Sequence, residues 1–123
     1  MKYIYRGFMM LGLLISLLPT AFADEAVVGN VDAGKKIFTH VCLYCHTNNE
    51  DSKIGPSLVG IGDRRSVAWL QGWLKNPGEM IKKDEDAKVL RGYSEFNMTM
   101  PPLPSMKDDQ KRADVIAYLL KTF

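Results

Sequence analysis

Cysteine and histidine are scarce in this chain of 123 residues: only Cys42, Cys45, His40 and His46 occur. A structural zinc would need two N or S donors besides the cysteines. Only the histidines remain, and His40 belongs to the helical turn just before His46. No strand-type alternation competes with helical spacing, and no βαβ pattern surrounds the cysteines, which argues against a thioredoxin-like dithiol. There is no internal repeat. Basic residues form no cluster, which argues against a nucleic-acid partner. No cysteine lies near residues 21–23, where a lipid anchor would need one.

The N-terminal segment differs from the rest. Lys2 and Arg6 precede an apolar run over residues 8–18, and Ala21-Phe22-Ala23 is a small-x-small site. This is the pattern of an export signal, with the cut expected before Asp24. The run is short for a membrane span, which takes about 20 residues. An uncleaved signal would instead leave the chain anchored. The expected organisation is therefore a signal peptide over 1–23 and one domain over 24–123, delivered to the periplasm and free of the membrane after cleavage. The whole chain has 16 Lys+Arg against 14 Asp+Glu. Both basic residues of residues 1–23 leave with the signal and no acid does, so the mature chain is formally neutral. A domain of this size buries only about 60–65% of its unfolded surface and gains from a cross-link, metal or large cofactor.

Helical spacing dominates the mature chain. Residues 24–30 read as a loose lead, and Asp32 is placed to cap a first helix. Gly34, Ile37, Phe38 and Val41 form one stripe of it. Residues 47–60 read as loop, with Ile54-Gly55-Pro56 irregular. Ser66 is placed to cap a second helix, with Val67, Leu70 and Leu74 on one side and Trp69 and Trp73 beside them. Asn76-Pro77 disfavours its continuation. A short third helix is expected over residues 84–90, stopped by Gly92. Its mixed charges, residues 82–88, read as a solvated face. Residues 93–106 hold three prolines and three methionines and read as a long loop, a kind that usually carries function. Asp108 is placed to cap a last helix with an apolar face of Val115, Ile116, Tyr118, Leu119 and Leu120.

Cys42-Leu43-Tyr44-Cys45-His46 has the spacing that attaches c-type haem. Two thiols one helical turn apart reach two vinyl groups on one edge of a porphyrin, and the adjacent histidine supplies an imidazole to the iron. A plain disulfide would leave His46 without a role. Tyr44 reads as a packing residue.

With these motifs in order, the chain resembles the class I mono-haem c-type cytochromes over nearly all of residues 31–123. The resemblance rests on Gly34 and Phe38, Cys42 to His46, Gly55-Pro56-Ser57-Leu58, Met100-Pro101 and Val115-Ile116-Ala117-Tyr118-Leu119. It implies an all-α cytochrome c fold, about three to five helices with long loops wrapped around one covalent haem c. It implies Cys42 and Cys45 as attachment points, His46 as proximal iron ligand, and the Pro56 carbonyl as acceptor from the His46 ring. It implies Gly34 as the close approach of first and last helices, with Phe38, Val115 and Tyr118 at the crossing. A surface glycine is the alternative there. Met100 is the leading distal iron ligand because of Met100-Pro101; Met98 and Met106 remain alternatives, and Met80 is the other mature methionine. Arg64, Arg65, Trp69 and Trp73 are candidates for a haem propionate, or else solvated arginines and core tryptophans.

Two axial ligands leave the iron no open position, and thioether sulfur raises its potential. The expected role is a periplasmic electron-transfer protein, not an enzyme, passing single electrons between respiratory redox partner proteins. The competing readings are a haem-based ligand-binding or peroxidase-like protein with a labile methionine, and a thiol-redox or metal module. The second histidine is badly placed for acid–base work on peroxide.

Overall fold

The structure, a computed structural model, describes residues 28–47, 50–51, 54–93 and 97–123. The expected signal peptide lies outside them. Six α-helices occur among the described residues: α1 Val31–Val41, α2 Ile61–Arg64, α3 Val67–Lys75, α4 Pro77–Lys83, α5 Glu85–Lys88 and α6 Asp109–Thr122. Short 3-10 turns cover Cys42–Tyr44 and Pro104–Lys107, and no strand is present among the described residues. No described helix is long and apolar enough to cross a membrane.

Local chemistry sets most helix ends. Ser66 accepts from the Trp69 N–H, and Asp108 from the Lys111 N–H, as the sequence predicts. The first helix corrects the prediction: Asn30, not Asp32, is its cap, accepting from the Ala33 N–H. Asp32 instead lies in the first turn, where its charge complements the helix dipole. Pro77 ends α3 but also begins α4. A proline at the first helical position loses no hydrogen bond there, and the Asn76 side chain caps that helix through the Glu79 N–H. α5 is shorter than the expected 84–90 and is capped by Asp84. On the solvated face Glu79 pairs with Lys82 at 2.6 Å and Lys83 at 3.7 Å. Such exposed pairs add little stability.

α1 and α6 cross at the centre. A Cβ on Gly34 would lie 1.9 Å from the Asp114 carbonyl oxygen and 2.8 Å from the Tyr118 Cβ. The helices therefore meet backbone to backbone, and the surface alternative for Gly34 does not hold. Around the crossing, the Phe38 ring packs on Tyr118 at 5.3 Å and on Phe123 at 5.4 Å between centroids. Val115 is buried beside Phe38 in a core shared with Ile61, Leu70, Leu74, Met106, Ile116 and Leu119. Val67, expected to join that face, is 51% exposed, because it lies in the first turn of α3.

The lead into α1 is not loose where described. Asn30 N–H donates to the Asp114 carboxylate at 2.8 Å, and the Gln110 side chain donates to the Val28 carbonyl at 3.0 Å. Gln110 also donates to the Asp114 carboxylate at 2.8 Å, so buried Asp114 has partners on both sides of the crossing, as a buried polar group needs.

Gly34→Ala separates two opposed effects. Alanine favours an isolated helix by about 1 kcal/mol, but here its methyl overlaps a backbone carbonyl. The variant is expected to lose about 1–3 kcal/mol of unfolding free energy, read from guanidinium denaturation of the haem-loaded protein.

Candidate functional site

α1 ends by delivering Cys42, whose N–H still bonds to the Phe38 carbonyl at the helix C-terminus. The chain then tightens into the 3-10 turn. The N–H groups of Cys45 and His46 both return to the Cys42 carbonyl, at 3.1 and 2.9 Å. This doubling-back brings Cys42, Cys45 and His46 to one cavity. Tyr44, expected to pack, is instead 72% exposed. Its neighbours Cys42 and Cys45 line the cavity and it does not.

The His46 ring is held by the following loop. Its Nδ1 lies 2.9 Å from the Pro56 carbonyl oxygen. A carbonyl only accepts, so Nδ1 carries the proton and Nε2 keeps its lone pair. Burial lowers the imidazole pKa, opposed in part by the Pro56 bond, so the ring is neutral at physiological pH. Gly55 packs flat on the ring: a Cβ there would lie 2.5 Å from His46 Cε1 and 2.8 Å from Nδ1. That contact is a site feature the sequence reading does not assign, although the Gly55-Pro56 pair marks the segment. Burial, and then the Cys45 thiol, push the Cys42 pKa up to about 11.

Apolar side chains from four helices close the cavity: Phe38 of α1, Ile61 of α2, Leu70, Trp73 and Leu74 of α3, and Val115 and Leu119 of α6. The loop before α6 adds Met98, Thr99, Met100 and Pro101. The Trp73 indole N–H donates to Met100 Sδ at 3.0 Å. Met98 also lines the cavity but is 49% exposed. Met106 is fully buried in the core and Met80 lies against α3 at Gly72; neither lines the cavity.

The propionate candidates are partly committed elsewhere. Arg64 donates to the carbonyls of Ser57 at 3.0 Å and Val59 at 2.9 Å. Arg65 pairs with Asp86 at 3.3 Å and sits 4.8 Å over the Trp69 ring. The Trp69 N–H goes to Asp84 at 3.1 Å, which holds that carboxyl below its usual range. Trp69 also stacks on Trp73 with centroids 5.3 Å apart.

A covalently held haem fits this donor set. Two thiols one turn apart and, next to the second, a neutral imidazole with a free nitrogen lone pair face one cavity. The walls are apolar, and thioether sulfurs stand at the same cavity. When bound, haem supplies a one-electron iron couple; the chain supplies its attachment, ligands and low-dielectric surroundings.

Comparison with known proteins agrees with this chemistry. The cytochrome c family model matches residues 31–123. Cytochrome c2 of Rhodopila globiformis is 33% identical over 107 residues, covering 77% of this chain and 95% of that protein. Cytochrome c of Nigella damascena is 30% identical over 105 residues, covering 78% and 93%. The solved cytochrome c from Rhodothermus marinus superposes with a TM-score of 0.66 at 23% identity over 75% of each chain, a likeness of fold. The chain belongs to the cytochrome c family, and it is a haem-based electron-transfer protein that carries covalent haem c.

Proposed function

We propose that this chain is exported, loses residues 1–23, and works in the periplasm as a single-electron shuttle between respiratory redox proteins. In this reading Cys42 and Cys45 bind one haem through thioether bonds, His46 is the proximal ligand and Met100 the distal one. One observation carries it: His46, with its Nδ1 on Pro56, and Met100, with its sulfur on Trp73, border the same apolar cavity.

The residues then have separable tasks. Pro56 fixes the tautomer and plane of His46, as partners of metal-bound histidines generally do. Gly55 leaves room for that ring. Trp73 gives Met100 a preference over Met98, since a buried indole N–H needs an acceptor and Met100 Sδ is the one it has. With His46 and Met100 both holding an iron there, no position would be left for a substrate, and the haem would supply outer-sphere exchange of single electrons. Low polarity around the cavity limits the reorganisation each transfer requires. The ligand-binding and peroxidase-like alternative gains no support from the cavity, where His46 is the sole lining histidine among the described residues.

Met100→Ala is expected to keep haem attached while abolishing the sulfur-to-iron charge-transfer band; Met98→Ala is expected to retain it. The reverse pattern in absorption spectra would make Met98 the ligand. A high-spin spectrum that takes up CO freely in the unaltered protein would remove the shuttle reading. Mass spectrometry of the product from a haem-attaching host is expected to show residues 24–123 plus one haem. Bare thiols or a disulfide would contradict attachment, and an intact N-terminus would contradict cleavage.

A further inference from the structure

Arg112 is a buried cation outside the cavity lining. It sits on α6 at 5% exposure. Its Nη1 donates to the Met106 carbonyl at 2.7 Å and its Nε to Gln71 Oε1 on α3 at 3.0 Å. Its Nη2 pairs with Asp109, a carboxylate that is largely exposed. A buried charge persists only where hydrogen bonds replace water. Here the replacement is a grip on the 3-10 turn Pro104–Lys107, the far end of the loop that carries Met100.

The connection from that grip to Met100 is stiff. Residues 101, 102 and 104 are prolines, each with φ fixed at about −65°. Proline-rich segments act as semi-rigid spacers. Pro101 borders the cavity, whereas Pro102 and Pro104 are exposed and do not line it, so cavity packing does not explain their position. Leu103 packs on the core and Met106 is fully buried in it.

We propose that Arg112 is a positioning residue for Met100: it latches the Met106 carbonyl, and the proline strut between them holds the methionine at the cavity. The proposal rests on Met100 as distal ligand. Without the latch, residues 97–102, none of them buried, open as a local unit while the helices stay folded, as segments with few buried anchors do. Opening exposes the iron's sixth position to a competing ligand. The apparent affinity of that ligand rises with the open fraction.

Imidazole titration of the haem-loaded full chain tests this, with loss of the sulfur–iron band as readout and far-UV circular dichroism as the measure of helix. Arg112→Lys keeps the charge but not the planar fork that reaches Met106, Gln71 and Asp109 at once. Pro102→Gly keeps the latch and removes stiffness at an exposed position. Each variant is expected to bind imidazole about tenfold more tightly than the unaltered protein, with helix content unchanged. If Arg112→Lys yields no folded holoprotein, Gln71→Ala tests the latch with the same expected direction. Affinity unchanged in the variants, even with lowered global stability, overturns the latch and leaves Met100 as ligand. An unaltered protein that lacks the band and binds imidazole uncompeted overturns the Met100 reading and the latch with it.

Discussion

Where α1 passes α6, the Gly34 backbone lies against the Asp114 carbonyl with no room for a methyl group between them. That contact fixes the distance between the helix delivering Cys42 and the helix whose Val115 and Leu119 wall the cavity. Everything at the site is referenced to it. The cysteines and His46 follow directly from the end of α1. The Met100 loop returns to α6 through Met106 and Arg112. Interiors are close-packed and transmit strain, so widening this crossing would move the His46 segment away from the loop that carries Met100.

Much of this is legible in the residues. The pentapeptide from Cys42 to His46 states its chemistry by spacing. Ser66 and Asp108 act as the expected caps because a short polar side chain before an apolar stripe has few other uses. Other features depend on tertiary neighbours. Asn30 and Asp32 are both competent caps, and the choice falls to Asn30, whose own N–H is taken by Asp114 far along the chain. Pro77 reads as an end and is also a beginning, since the same lack of an N–H serves both. α2 is too short to show a period. Arg112 has the sequence signature of any surface arginine; only the bonds to Gln71 and Met106 reveal it as buried.

The polar groups around the cavity share a pattern. The Trp69 N–H goes to Asp84, Arg64 to two carbonyls, His46 to Pro56 and Trp73 to Met100. Directional groups near the low-dielectric interior each have a fixed partner, so few dipoles are left to reorient when the charge beside them changes. For a protein that must accept and release an electron without altering shape, satisfied hydrogen bonding is part of the function as well as of stability.

The stacked indoles of Trp69 and Trp73 have an optical consequence. They are the chain's two tryptophans, and both border the cavity. A porphyrin in that cavity absorbs where indole emits, at a separation where energy transfer is nearly complete. The native holoprotein is therefore dark in tryptophan fluorescence, and light emerges only when α3 leaves the haem. The fold carries its own lamp, with no label needed.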